Sequence, residues 1–168
     1  MNSESGDSRV LRITRERFGA FVESLEELSG GLVVTQHDIV TVVLSPHVLL
    51  LPVPEALGTY AVSVFDNGLT ALAWDDGTMV QCMSGDSLRT MGGITNGRDS
   101  VFKLRGLDMV MLCTLGQNRA ADRWVAHVDG FLSEAHTFIV HVSSLHVEQR
   151  DLFLGCLRSL AVSPNQAV

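Results

Sequence analysis

Paired cysteines, long apolar runs, lysine and basic charge are all scarce in this sequence, and each scarcity removes a class of protein. Cys82, Cys113 and Cys156 are odd in number and show no CxxC spacing. That argues against a disulfide framework and fits a reducing compartment, with the three thiols expected as small core residues. The densest apolar run, Val48–Val53, is strand-sized and interrupted by Pro52, well short of the roughly 18 apolar residues of a membrane span. Met1–Arg9 is polar and has no basic start leading into an apolar stretch, so no secretory signal is read there. Twelve lysines and arginines stand against 19 aspartates and glutamates, for a net charge of −7. Lys103 is the single lysine, and an overall field of this sign is expected to repel phosphate backbones. The expectation is a cytoplasmic protein with no nucleic-acid partner and no membrane span.

What is present is apolar material for one core. The chain has 168 residues, 46% hydrophobic and 18% charged, which suits a single domain and lacks the charge density of disorder. The chain is expected to divide into a disordered N-terminal tail over 1–12, a single α+β domain over 13–162 and a C-terminal tail over 163–168. A helix is expected over 14–28, where Phe18, Phe21, Val22, Leu25 and Leu28 recur at helical spacing, with Thr14 as cap and Gly30-Gly31 as exit. A second amphipathic helix is expected over 147–161, with Phe153, Cys156, Leu157 and Leu160 on its stripe, Ser144 as cap and Ser163-Pro164 as stop.

Between the helices the pattern is that of short strands. Leu32–Val34, Ile39–Leu44 and Val48–Val53 are β-branched runs ended by Pro52 and Pro54. Asn67-Gly68 between Tyr60–Phe65 and Leu69–Trp74, and Asp76-Gly77 before Met79–Cys82, are strong hairpin signals. Read as two-residue turns, they put Tyr60, Val62, Val64, Ala71, Ala73, Val80 and Cys82 on one face. Ala61, Ser63, Phe65, Thr70, Leu72, Trp74, Met79 and Gln81 then fall on the other. Met83–Ser100, with four glycines, reads as a long loop. Strand signals resume at Val101–Leu104, Met109–Leu115, Arg123–Leu132 and Thr137–Ser143. A hairpin closed by Ser133–Ala135 aligns Trp124, Ala126 and Val128 with Phe138, Val140 and Val142. The opposite face then holds Val125, His127, Asp129 and Phe131 beside Ile139 and His141, and extrapolation adds Met109, Met111 and Cys113 to it.

The fold class expected is therefore α+β, a predominantly antiparallel sheet of about 8–10 short strands in meander hairpins with an N-terminal and a C-terminal amphipathic helix. Both faces of this sheet are apolar, whereas a sheet with one solvated face shows polar residues there. Helices, closure into a barrel or a second chain in a homodimer could cover the second face.

Few residues invite chemistry. His127 and His141, with Cys113 and Asp129 nearby, could serve as metal ligands, as a Cys–His nucleophile and base, or as partly buried histidines of an apolar sheet. The Met91–Gly97 loop lacks the consecutive lysine and serine or threonine that complete a phosphate-binding loop. No metal-ligand spacing and no cofactor motif is present. Phe65, Leu72, Trp74 and Met79 instead form an aromatic and methionine set suited to anchoring a protein partner, or to burial beneath a helix.

The last third, with hairpins leading into Thr137–Ser143 and then Glu148–Phe153 and Leu157–Leu160, resembles the ending of small PsbP-like domains, some of which act as secretion chaperones. In size, acidity and opening helix the chain is similar to type III secretion chaperones, but it has the glycine-rich stretch where they carry a middle helix. Neither resemblance transfers a binding residue. The functional expectation is a non-enzymatic protein-interaction module of chaperone, adaptor or immunity type, homodimeric. A small apolar-ligand-binding protein and a Cys/His-dependent enzyme are the alternatives.

Overall fold

The computed structural model describes residues 20, 22–28, 32–33, 36–85, 100–106, 109–118, 122–132 and 136–164. Its elements in chain order are β1 (His37–Leu44), β2 (His47–Pro54), a 3-10 turn (Glu55–Leu57), β3 (Tyr60–Val64), β4 (Thr70–Trp74), β5 (Met79–Gly85), β6 (Ser100–Arg105), β7 (Val110–Asn118), β8 (Arg123–Phe131), β9 (Thr137–Ser144), α1 (Glu148–Leu157) and β10 (Ala161–Pro164). Two antiparallel sheets result, one in the order β1-β2-β10 and one of seven strands in the order β3-β4-β5-β9-β8-β7-β6. The β-rich, antiparallel expectation holds. Two meanders, β3 to β5 and β6 to β9, are joined by pairing β5 with β9, from Met79↔Ser143 to Gly85↔Thr137. That junction leaves β3 at one end of the large sheet and β6 at the other.

The small sheet and α1 cover one face of the large sheet, here called the inner face. Val40, Val42, Leu44, Leu49, Leu51 and Val53 line the covering side of the small sheet, all buried. From α1, Phe153 packs edge-on against Trp74 at 5.7 Å between ring centroids and against Trp124 at 6.4 Å. Burying a side chain of this size contributes about 1.5–3 kcal/mol. Gly130 lies where β8 passes under Phe138, and a Cβ there would come within 2.5 Å of the ring.

One residue of register decides which side chains enter this core. Phe65 N donates to Leu69 O (2.8 Å) and Gly68 N donates to Phe65 O (3.0 Å), so the first turn holds three residues, Asp66-Asn67-Gly68, with Gly68 at φ 87°. Asp75-Asp76-Gly77 repeats the device, with Trp74 N donating to Thr78 O (3.0 Å) and Gly77 at φ 90°. A left-handed glycine suits either a two-residue turn or a three-residue turn with a bulge. Both turns take the longer form, and the β4 faces are therefore the reverse of the two-residue reading. Tyr60 pairs with Trp74, Val62 with Leu72, and Leu72 with Val80. Leu72 and Trp74 are on the inner face with Val80 and Cys82, and Ala71 and Ala73 are on the outer face. For β8 and β9 the expected register is the observed one, with Ala126↔Val142, His127↔His141 and Val128↔Val140.

The helices depart from expectation. An N-terminal helix reaching Leu28 is not borne out: Ala20, Val22 and Glu23 are helical, but Glu27 forms a parallel bridge with Lys103. Leu28 N donates to Lys103 O (2.9 Å) and Lys103 N donates to Glu26 O (3.0 Å), so the open edge of β6 takes this segment as an added strand. The rest of the expected helix, with Thr14, Phe18 and Phe21, lies outside the described residues, as does most of the Met83–Ser100 stretch. Leu32 and Val33 are not in a strand.

The closing helix is shorter than expected, and Ala161–Pro164 forms β10 on β2. Its first turn has no side-chain cap. Ser144 instead joins a buried polar cluster. Its Oγ donates to Gln149 Oε1 (2.9 Å), Thr78 Oγ1 donates to the same oxygen (2.8 Å), and Gln149 Nε2 donates to Asp76 Oδ2 (2.9 Å). Gln149 thereby ties the start of α1 to the β4–β5 turn, and its hydrogen bond is the main reason the Asp76 carboxyl is held below its usual value.

Candidate functional site

The four side chains nominated as partner anchors do not share a surface. Leu72 and Trp74 are core residues, 1% and 4% exposed, with the Trp74 ring 5.2 Å from Tyr60. Phe65 and Met79 lie on the outer face and are exposed. The large apolar members of β4 are thus core residues, Trp74 against Phe153 of α1, a consequence of the longer turns.

On the outer face, the paired histidines meet as expected. His127 Nδ1 and His141 Nδ1 are 3.3 Å apart, and Asp129, fully buried, places Oδ1 3.6 Å from His127 Nε2. Burial, and then the neighbouring His127, hold His141 below the ordinary imidazole value. Leu69, Gln81, Met83 and Ile139 complete a shallow depression of about 260 Å³ around the pair. Cys113 is not part of it. Thr114 pairs with His127 and Cys113 with Val128, which turns Cys113, and with it Met111, to the inner face. There burial, and secondarily the Asp129 charge, push its thiol up to about 12. A thiol so placed supplies no thiolate to the histidines, so the geometry corrects the Cys113–His127–His141 grouping. Among the described residues, no three His, Cys, Asp or Glu side chains converge to hold a metal ion.

The exposed apolar feature that composition alone did not single out is β3. Two sheets have four edges, and the chain handles them differently. The β6 edge is covered by Glu26–Leu28, and β10 is four residues long and ends in Pro164. β1 carries Asp38, and its inner-face side chains Val40, Val42 and Leu44 are buried. β3 carries no charge, and Ala61 to Val64 are exposed on both faces. Val62 and Val64 point to the inner side yet are 52% and 73% exposed, and Phe65 follows at 51%. The layer formed by α1 and the small sheet stops short of them. Natural proteins blunt open edges with charge, proline, bulges or cover, and among the described residues the five of β3 have none of these. Its signal in the sequence is the uncharged Tyr-Ala-Val-Ser-Val run, which becomes an edge only through the β5–β9 pairing.

No protein-family model matches the chain, and no curated protein is significantly similar to it. Among the described residues no helix is long and apolar enough to cross a membrane.

Proposed function

We propose that the chain is a non-enzymatic protein-interaction module, of the chaperone, adaptor or immunity-inhibitor kind, that takes up a partner by strand addition at β3. The observation that carries this reading is the bare β3 edge, uncharged and flanked by the exposed Val62, Val64 and Phe65. In strand addition, backbone hydrogen bonds supply affinity and alternate side chains supply specificity, and β3 offers both in one place. Val64→Lys tests it, because a lysine on an edge strand opposes pairing while position 64 bears no packing load. Partners cross-linked to the wild-type protein in cells that express it are expected to be lost from the variant, with circular dichroism unchanged. Partners retained at wild-type levels by Val64→Lys would overturn the reading.

A small apolar-ligand-binding protein is the second reading, drawing on the depression around His127 and His141. It ranks lower because that depression is shallow and lies outside the core rather than between layers.

A further inference from the structure

We infer that the occupant of the β3 edge is a second copy of this chain, paired antiparallel about a two-fold axis at Val62. This rests on the reading of β3 as a docking edge and adds the identity and register of the partner. The hydrogen-bond pattern sets the axis. Because Phe65 donates to Leu69 across the β3–β4 turn, and bonding alternates along an antiparallel strand, Ala61 and Ser63 turn their backbone groups toward β4. Tyr60, Val62 and Val64 turn theirs outward. An antiparallel ladder is symmetric about the middle of a hydrogen-bonded residue pair. Val62 therefore meets Val62 of the copy, while each Tyr60 meets the other copy's Val64, and about six backbone hydrogen bonds form.

Side chains agree with that register. Val62 and Val64, half-exposed or more on the uncovered stretch of the inner side, gain the same residues and Tyr60 of the copy as cross-strand neighbours. No charge lies between Tyr60 and Val64, so no like charges oppose each other. The nearest acid, Asp66, falls opposite Gly58 of the copy. An uncharged strand selects no charged partner, and the self-complementary strand always present at equal concentration is its own. The joined sheet would run through fourteen strands, twice the seven of one chain. Two short strands bury less than the roughly 1,200–2,000 Å² of a standard interface, so a reversible dimer with a dissociation constant on the order of micromolar is expected.

The register is tested by cross-linking. Ala61 and Ser63 of opposite copies face each other in a non-hydrogen-bonded pair, with Cα atoms about 4.5 Å apart, within disulfide range. The three native cysteines are buried. An oxidised equimolar mixture of Ala61→Cys and Ser63→Cys chains is expected to form covalent dimer about tenfold faster than either variant alone. Sedimentation of the wild type from about 1 to about 300 μM should show monomer passing to dimer, and Val62→Lys should stay monomeric with unchanged circular dichroism. A wild type monomeric throughout, while Val64→Lys still abolishes capture of another protein, retires the dimer and leaves the docking edge standing. A dimer that persists in Val62→Lys and cross-links no faster in the mixture overturns the dimer at β3, and the docking reading falls with it only where Val64→Lys also retains its captured partners.

Discussion

His127 and His141 stand opposite each other on neighbouring strands with ring nitrogens at hydrogen-bonding distance, an arrangement that tolerates one shared proton and opposes two charged rings. The effect is expressed on His141, whose folded-state pKa is lowered by burial first and by His127 second. A histidine ordinarily titrates near ~6.5. Between the lowered folded value and the ordinary one, the unfolded chain binds more protons than the folded chain, so stability rises with pH there. The contribution is complete above the ordinary value and is lost as pH falls through it toward the folded value. Gln81 is the direct neighbour of His141 on β5 and is neutral, whereas the buried Asp129 lies on the far side, next to His127. His141→Gln removes the titration, so its urea midpoint should fall less between about pH 7.5 and about pH 5 than that of the wild type. Equal losses in the two proteins would show that this ring does not sense acid.

Helix α1 is placed by a glycine. In an ordinary helix interior, replacing glycine with alanine gains about 0.5–1 kcal/mol, but a Cβ on Gly155 would overlap the carbonyl oxygen of Val33. Backbone cannot swing aside as a flexible side-chain tip does, so Gly155→Ala is expected to lower stability by about 1–3 kcal/mol. Chemical denaturation checks the sign, and a stabilised variant would mean that Val33 does not pack on the helix. The same contrast between local and remote contacts explains how much of the architecture was legible in the sequence. Turn chemistry announces every hairpin of the β3–β5 meander, and the β8–β9 register follows from alternation on either side of a hairpin closed by Ser133–Ala135. The β4 faces did not follow from the turns, because Asn67-Gly68 and Asp76-Gly77 mark a turn without giving its length, and one added residue reverses the strand. The apolar pattern held the answer: only the longer turns put Leu72 and Trp74 beside Val80 and Cys82 and leave the small Ala71 and Ala73 beside Ala61 and Ser63. The partly correct histidine site has the same cause. A local hairpin pairs His127 with His141, whereas extrapolation one strand further puts Cys113 on the opposite face from the one it occupies. No local pattern reveals that β5 pairs with β9 or that Glu26–Leu28 covers β6, and those two remote pairings make β3 the open edge.

At the scale of the whole molecule, the net charge of −7 opposes any association of two copies, while the proposed contact itself carries no charge. The two terms respond to salt differently. Repulsion between the chains acts over the distance set by screening, a Debye length of about 30 Å at 0.01 M and about 8 Å at 0.15 M. Backbone hydrogen bonds between Tyr60, Val62 and Val64 and contacts among their side chains are short-ranged and contain no ion pair for salt to weaken. Added sodium chloride should therefore strengthen the dimer, in contrast to an interface built on opposite charges, which it weakens. Sedimentation at about 0.02 M and about 0.3 M salt should show the dissociation constant falling several-fold at the higher concentration. A constant that rises with salt would mean that complementary charge holds the copies together, and the uncharged β3 strand could not be the surface on which they meet.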